Sequence, residues 1–383
     1  MKIGIDARMF GSGFGLARYT QQLILHLEKI DLQNQYILFF RKENWNEFEP
    51  TNPNFKKVLA DIPWYSLAEQ FKFPAIIKKQ KVDLMHFPHW NVPLLYSGRF
   101  VVTIHDLIMY HFPRANATTL GPLAYWAKDR LHRLVVKNAV RCADKIIATS
   151  EFTKKDIRET LGTPEEKMVV IYQAPFKKFP ISNFQFPINF QNPNDQNILE
   201  KYNISKPYIL YVGAAYPHKN LETLLKGWKI FEERNENEYQ LVLVGKENYF
   251  YRKLINNSTL QHCDIVYTGF LPDDELETLY NHASLYIFPS LYEGFGLPPL
   301  EAMARGVPVA SSDSSCLPEI LQDAAYYFRP QDERAISDAI QHLLIDKNLR
   351  ARLIERGQKL CTTYSWNKLA TETLSIYQNT DNQ

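Results

Sequence analysis

The sequence predicts an α/β fold that consists of two doubly wound units, each built on a parallel sheet. Three observations support this prediction. The chain has 383 residues, which is enough for two domains of ordinary size. Short runs rich in Val, Ile, Tyr and Phe recur in both halves, and segments with helical periodicity separate many of them. Because these runs are apolar throughout rather than alternating, they are typical of strands buried on both faces of a parallel sheet.

The predicted elements alternate between strand and helix in each half, which favours parallel, doubly wound sheets. Five strands are predicted in the first half, at Lys2–Asp6, Gln35–Phe40, Leu84–Phe87, Phe100–Ile104 and Lys145–Thr149. Six are predicted in the second half, the last being the weakest, at Tyr208–Gly213, Gln240–Gly245, Ile265–Thr268, Leu285–Pro289, Val307–Ala310 and Ala325–Phe328. Helices are predicted at Leu16–Ile30, Leu221–Arg234, Asp273–His282 and Pro299–Arg305.

The two halves are separated by residues 172–206, which are dense in Pro, Asn and Phe and show no sustained period. This segment is predicted to be an interdomain linker. We therefore expect an N-terminal domain over residues 1–171 and a C-terminal domain over residues 207–365.

Charge and composition limit the classes of function. The sequence has 44 Lys plus Arg against 42 Asp plus Glu, 22% charged residues and 45% hydrophobic residues. This is the composition of a globular protein, and it argues against disorder and against a highly basic nucleic-acid binder. The near-neutral total hides a difference between the halves: residues 1–170 carry a net charge of +7 and the remainder −5.

The four cysteines, Cys142, Cys263, Cys316 and Cys361, lack the spacing of a zinc site. They are expected to be buried thiols in a reducing compartment. Asp6 and Arg8 fall where a signal peptide would need its apolar core, and no run of 18 apolar residues follows. We therefore expect a cytoplasmic protein that can still touch the inner face of a membrane.

A glycine-rich loop, Gly11-Ser12-Gly13-Phe14-Gly15, leads from the first strand into a helix that begins near Leu16. Glycines let backbone N–H groups approach a ligand, and a helix N-terminus favours an anion. The spacing is not that of a dinucleotide fingerprint, and Glu43 is a poor candidate for the acid that such a site requires. A tight turn without a ligand is the alternative.

The second half carries a sharper motif between Pro289 and Glu301. A strand ends, a glycine turn follows, and a helix is predicted to begin near Pro299 with Glu301 in its first turn. Such a loop can hold a phosphate on N–H groups while Glu293 and Glu301 accept hydrogen bonds from hydroxyls. Hydroxyls that flank a phosphate are what a nucleotide sugar presents. In the alternative, Glu301 only favours the helix dipole and Glu293 is a solvated loop residue.

Two glutamates separated by seven residues, with EGFG after the first, resemble the signature of the retaining glycosyltransferases of family 4. Other stretches match in family order: IGIDAR before the glycine loop, VVTIHDL at 101–107, ATSEFTKKDI at 148–157, YVGAAYPHKNLETLL at 211–225 and YTGFLPDDEL at 267–276. The resemblance implies the GT-B fold, with two Rossmann-like domains facing a cleft. It also implies an acceptor-side first domain, a donor-binding second domain, and a C-terminal crossing helix at about 366–383.

The resemblance further implies roles for individual residues. Glu293 would contact the donor sugar, Glu301 the ribose hydroxyls, and Lys219 the pyrophosphate. His105 would lie near the reacting sugar and orient it. The remaining donor contacts would come from the loop residues Gly13, Phe14 and Gly15, and from the backbone of Gly294, Phe295, Gly296 and Leu297.

The chain departs from the family pattern at three places. Ala214 and Ala215 stand where many members have an arginine, His218 precedes Lys219 where an arginine is common, and Gln173-Ala174-Pro175 replaces Asn-Gly-Val at the linker. The pyrophosphate would therefore rest mainly on Lys219.

The expected reaction follows from these groups. Cations and N–H donors stabilise the departing phosphate, and transfer would retain the anomeric configuration by front-face attack. No Asp-x-Asp occurs in the sequence, so no metal and no cofactor are expected beyond the nucleotide-diphosphate sugar itself. The mannosyltransferase-like IHDL and AAYPHKN stretches favour GDP-mannose as the donor, with UDP-glucose and related donors left open. The acceptor would be a glycan or a lipid-linked saccharide.

Two other classes of function stay open on the sequence alone. One is a non-catalytic nucleotide-sugar-binding relative, and the other is a UDP-sugar epimerase of the same fold. His105 also has the alternative of a packed histidine, as do His86, His89 and His111, which could instead line the acceptor side.

A basic stripe lies in the first half. Arg130, Arg133, Lys137 and Arg141 recur at helical spacing, after the aromatic pair Tyr125 and Trp126. A second mixed patch runs from Phe71 through Lys81. These patches indicate peripheral binding to an anionic membrane through the first domain; a solvated helix face is the alternative.

Overall fold

The chain divides into two compact units in the computed structural model, which describes residues 1–11, 15–113, 121–176, 193–235, 238–255 and 263–381. One unit comprises Met1–Gln173 together with Ser365–Gln383, and the other comprises Ala174–Tyr364. Each unit is described by itself below.

The described part of the first unit contains a seven-stranded parallel sheet. Its strands are β1 (Lys2–Asp6), β2 (Gln35–Phe40), β3 (Phe55–Leu59), β4 (Leu84–Phe87), β5 (Phe100–Ile104), β6 (Lys145–Ala148) and β7 (Met168–Val170). Their order across the sheet is β3-β2-β1-β4-β5-β6-β7. The order reverses between β1 and β4, and ligands of open α/β sheets bind outside the strand ends at such a switch point.

The described part of the second unit contains a six-stranded parallel sheet. Its strands are β8 (Tyr208–Val212), β9 (Gln240–Val244), β10 (Ile265–Gly269), β11 (Leu285–Phe288), β12 (Val309–Ser312) and β13 (Tyr326–Phe328). The order is β10-β9-β8-β11-β12-β13, so the switch point of this sheet lies between β8 and β11. Both sheets confirm the prediction of two doubly wound α/β units.

The described helices cover the two sheets. In chain order they are α1 (Gly15–Ile30), α2 (Leu67–Gln80), α3 (Ile108–His111), α4 (Pro122–Cys142), α5 (Glu151–Leu161), α6 (Pro193–Lys201), α7 (Leu221–Arg234), α8 (Tyr249–Ile255), α9 (Asp273–His282), α10 (Leu297–Ala304), α11 (Leu317–Leu321), α12 (Glu333–Ile345), α13 (Lys347–Cys361) and α14 (Trp366–Asp381). The last of them, α14, packs on α1 in the first unit. Its Tyr377 is fully buried, and the hydroxyl lies 2.5 Å from His86 Nδ1.

Two strands escaped prediction because both lie at edges of the first sheet. In β3 only Phe55 is buried, and Lys56 and Lys57 interrupt the apolar run. The other edge strand, β7, has three residues. Every predicted strand is present with ends that shift by two residues at most.

The segment predicted as a linker without periodic structure contains α6. This helix packs on α9, where Leu199 is buried and Asp195 pairs with His282 at 3.0 Å. Residues 177–192 of the predicted linker lie outside the described residues. The cysteines are all unpaired, but the expectation of four buried thiols holds only for Cys316: Cys263 and Cys361 are partly exposed, and Cys142 is exposed at the end of α4.

Candidate functional site

Lys219 is held at the switch point of the second sheet by the residues beside it. Asn220 takes a left-handed conformation (φ 60°), and its Nδ2 donates to the carbonyl oxygens of Pro289 at 3.1 Å and Pro330 at 2.6 Å. The backbone N–H of Leu291 donates to the carbonyl oxygen of His218 at 2.7 Å. These bonds tie the turn after β8 to the loop after β11.

Lys219 and Glu293 form an ion pair within that junction. The distance from Lys219 Nζ to Glu293 Oε1 is 2.6 Å, and the side chains are only 16% and 9% exposed. The backbone N–H of Glu293 donates to Ser315 Oγ at 3.0 Å, which fixes the backbone of Glu293. Two residues 74 positions apart in the sequence are thus brought together, and any diphosphate at Lys219 has to compete with a carboxylate already bound there.

The N-terminus of helix α10 follows Glu293 closely in the sequence. Gly296, at φ 93°, is the N-cap residue of α10, and it has no side chain that could cap the helix. A Cβ at Gly296 would lie 2.8 Å from Leu317 Cδ2. An N-terminus without a side-chain cap attracts an anion through its N–H groups and dipole. Gly294, Phe295 and Leu297 complete this short stretch.

Glu301 lies in the second turn of α10. The expectation that it occupies the first turn is wrong, because the helix begins at Leu297, directly after the left-handed Gly296, rather than near Pro299. Since dipole stabilisation falls off within the first turn, the dipole explanation for Glu301 loses force. Tyr280 Oη donates to Glu301 Oε2 at 3.4 Å. Burial raises the pKa of Tyr280 well above its ordinary value, so this hydroxyl stays protonated.

His105 follows β5 in the first unit. Its Nε2 is 2.9 Å from the carbonyl oxygen of Pro88; since a carbonyl only accepts, Nε2 carries the proton. Nδ1 is then an acceptor, with Gln173 Nε2 at 3.4 Å, and the Tyr19 ring packs edge-on at 4.6 Å between centroids. Burial lowers the pKa of His105 to about 4. At neutral pH it is an uncharged imidazole, which suits orientation of a sugar better than proton abstraction.

Two of the other histidines have clear structural contacts. His86 is fully buried between Tyr377 and Thr103, whose Oγ1 lies 2.9 Å from Nε2, and burial lowers its pKa to about 3. His111 Nε2 lies 2.9 Å from Asp156. Of the predicted glycine loop, Gly13 and Phe14 lie outside the described residues, and Gly15 is the exposed first residue of α1.

The motif between Pro289 and Glu301 could be found from the sequence, but the residues that hold its loop in place could not. Asn220, Tyr280 and Ser315 each fix a predicted site residue or its loop through a hydrogen bond described above. Ser315 is 22 positions from its partner, and no local pattern reports such a bond.

The described helices include none whose length and apolar character would allow it to cross a bilayer.

Comparisons with known proteins identify the family of the chain. The model of glycosyltransferase family 4 matches residues 15–174, and the model of glycosyl transferases group 1 matches residues 194–360. O-antigen chain mannosyltransferase B of Escherichia coli is 30% identical over 309 residues, covering 79% of this chain and 76% of that protein. The chain belongs to glycosyltransferase family 4. It is therefore an enzyme of the hexosyltransferase type, for which the family implies a nucleotide-sugar donor and a glycan acceptor.

A further relative and two solved structures are similar to the chain. O-antigen chain mannosyltransferase RfbU of Salmonella typhimurium is 27% identical, and the match covers 88% of this chain and 89% of that protein. Among solved structures, sucrose-phosphate synthase from Thermosynechococcus elongatus has a TM-score of 0.74 at 21% identity, covering 99% of this chain and 98% of its own. WaaG, a glycosyltransferase involved in lipopolysaccharide biosynthesis, has a TM-score of 0.71 at 16% identity, covering 98% and 99%. The predicted GT-B fold class of this family 4 enzyme is confirmed.

Proposed function

We propose that this glycosyltransferase is a retaining mannosyltransferase that moves mannose from GDP-mannose to a glycan or lipid-linked saccharide without a metal ion. The names of its relatives favour mannose, since two of them are O-antigen chain mannosyltransferases. The observation that carries the proposal is the pairing of Lys219 with Glu293 at 2.6 Å, directly before the N–H groups that open α10. A cation, a carboxylate and N–H donors suit the phosphate and hydroxyls of a nucleotide sugar.

The proposed chemistry uses each of these groups. The bond between the anomeric carbon and the phosphate oxygen breaks while the acceptor oxygen bonds to the same face of that carbon. The acceptor's proton goes to the departing phosphate. Lys219 and the N–H groups of Gly294–Leu297 stabilise the negative charge on that phosphate, and Glu293 and Glu301 accept from sugar and ribose hydroxyls. The sequence has no Asp-x-Asp, so these groups take the place of a metal clamp.

Donor binding and turnover test the proposal together. Thermal-shift screening against GDP-, UDP- and ADP-sugars should show stabilisation by GDP-mannose, about 2.7 kcal/mol at 100 times the dissociation constant. Slow release of mannose from GDP-mannose should be lost in Glu293→Gln. Binding without any turnover would favour a non-catalytic relative, and interconversion of UDP-sugars without an acceptor would favour an epimerase.

We propose that the protein acts in the cytoplasm and touches the inner leaflet of the membrane through α4. This helix exposes the apolar side chains of Leu123, Trp126, Leu131 and Leu134. Arg130 lies 5.2 Å from the Trp126 ring centroid, and Lys137 and Arg141 are exposed farther along. Exposed apolar and basic side chains on one helix are typical of interfacial binding. Arg133 does not belong to this face, because it pairs with Asp129 at 2.7 Å and lies over Tyr110.

Flotation with vesicles that contain phosphatidylglycerol tests the membrane contact. Salt-sensitive binding should be lost in Leu131→Glu and kept in the matched control Leu32→Glu, since Leu32 is 74% exposed but lies outside α4. Equal binding by both variants, or no binding by the unmodified protein, would refute the contact.

A further inference from the structure

The charges of the two loops that meet at the switch point of the second sheet cancel. In the turn after β8, residues 213–219, Lys219 is the one lysine or arginine. In the loop after β11, residues 289–296, Glu293 is the one charged residue. Since the two side chains pair at 2.6 Å, a diphosphate that arrives at Lys219 meets a cation that is already neutralised.

The Lys219 ammonium group cannot take up a phosphate without disturbing Glu293. Nζ lies 2.6 Å from Glu293 Oε1 and 5.3 Å from the ring centroid of Phe288, the buried last residue of β11. The ring attracts the ammonium group but carries no charge. A phosphate at Nζ must therefore displace the carboxylate or lie beside it. A displaced carboxylate is left buried without its cation, and one that stays repels the phosphate.

Three neighbours of Glu293 cannot replace Lys219 as its counter-charge. Burial, to which the charge of Glu293 adds, raises the pKa of Tyr211, Tyr286 and Cys316 well above their ordinary values. All three are therefore uncharged at neutral pH. A carboxylate that has lost Lys219 gains most from new hydrogen-bond donors, which a ligand can supply.

The sugar of a nucleotide sugar supplies such donors, and its removal has the opposite effect. Sugar hydroxyls donate to a carboxylate, and hydrogen bonds to charged groups are stronger than those between neutral groups. In a nucleotide without its sugar, the terminal phosphate gains a further negative charge, because its second pKa is about 6. That charge lies where the sugar was attached. Glu293 would thus meet hydroxyls in the donor and an added negative charge in the product.

We propose that Glu293 makes diphosphate binding at Lys219 depend on the attached sugar, so that the nucleotide sugar is held and the sugar-free nucleotide is expelled after transfer. The inference rests on the proposed function, which places the diphosphate at Lys219 and the sugar at Glu293. It gives Glu293 the selection of donor over product in addition to its contact with the sugar.

Isothermal titration calorimetry tests the proposal, with GDP-mannose, GDP and inorganic pyrophosphate as probes, in EDTA and without an acceptor. The unmodified protein should bind GDP-mannose about tenfold or more tightly than GDP, which is the effect of one hydrogen bond to a charged group. Glu293→Gln should bind GDP and pyrophosphate about tenfold or more tightly than the unmodified protein does. Its affinity for GDP-mannose should change far less, because it loses a repulsion and a strong hydrogen bond together.

Glu275→Gln is the matched control. Glu275 also forms an ion pair in the second unit, at 2.7 Å from Lys201, but this pair joins α9 to α6. The control should bind all three probes as the unmodified protein does. The inference is overturned if the unmodified protein binds GDP as tightly as GDP-mannose, or if Glu293→Gln leaves the affinities for GDP and pyrophosphate unchanged. Should Glu293→Gln prove unfolded by circular dichroism, the comparison of GDP with GDP-mannose in the unmodified protein still decides.

Failure of the proposed function would look different. Pyrophosphate carries neither base nor sugar, so its tighter binding to Glu293→Gln does not depend on the identity of the donor. A wrong choice of donor would appear as an absence of GDP and GDP-mannose binding while the pyrophosphate result stands. The comparison of donor with product is then made with UDP-glucose and UDP.

Discussion

Replacing Lys219 by Met separates two effects that the ion pair with Glu293 combines. In the unmodified protein the pair holds a carboxylate that is only 9% exposed. Lys219→Met keeps much of the side-chain length and removes the charge. It therefore leaves Glu293 buried without its cation, and it also removes the group proposed to stabilise the departing phosphate.

The structure allows both effects to be sized. At 2.6 Å and an effective dielectric constant of about 20, the Coulomb attraction is ~6 kcal/mol, and desolvation offsets part of it. Removing one partner of a buried pair costs about 3–5 kcal/mol. At roughly 2–4 °C per kcal/mol for a unit of this size, the Tm of the second unit should fall by about 6–20 °C. Loss of one stabilising donor should lower kcat by about 10²–10³.

A double-mutant cycle provides the assay. Thermal unfolding and GDP-mannose turnover are measured for Lys219→Met, Glu293→Gln and the double variant. The double variant should recover much of the stability lost in Lys219→Met, because no unpaired charge remains, and it should recover no turnover. The reasoning is refuted if Lys219→Met unfolds at the temperature of the unmodified protein, or if it retains turnover within a few-fold.

Two further predictions concern backbone strain and pH. Gly296→Ala forces a side chain onto φ 93° and against Leu317, so it should cost about 1–2 kcal/mol from the left-handed conformation alone and weaken GDP-mannose binding. Gly121→Ala is the control, because a Cβ at Gly121 has no heavy atom within 4 Å, and it should leave the Tm nearly unchanged. Equal falls in Tm for the two variants would contradict this account. Burial lowers the pKa of His86 to about 3, below that of an unfolded histidine, so the unfolded chain takes up the proton first. The free energy of unfolding should fall as the pH drops below about 6.5, and His86→Gln should reduce that loss by ~1.4 kcal/mol per pH unit. The prediction is contradicted if urea unfolding gives the same pH dependence for the variant and the unmodified protein.

The apolar runs predicted the strands well because most strands of both sheets are buried on both faces. β3 escaped because an edge strand does not need an unbroken apolar run: Lys56 and Lys57 interrupt it. Helix α6 escaped because its packing against α9 depends on distant partners, such as His282, which lies 87 positions from Asp195.

Local motifs indicated the residues of the proposed donor site but not their arrangement. The spacing of Glu293 and Glu301 could be recognised in the sequence, whereas the contact between Lys219 and Glu293 follows from β8 and β11 being neighbours in the sheet. The same holds in the first unit. His105 reaches the carbonyl oxygen of Pro88 because β4 pairs with β5, and no single segment of the sequence shows the order of the strands.

The most direct test of the central proposal is a proton NMR time course of GDP-mannose turnover by the unmodified protein in the presence of EDTA. This account predicts release of GDP with α-mannose as the first anomer, at a rate that added magnesium or manganese does not raise. Release of the β-anomer first would contradict retention. Turnover that requires the added metal would contradict the proposed role of Lys219 and the α10 N–H groups.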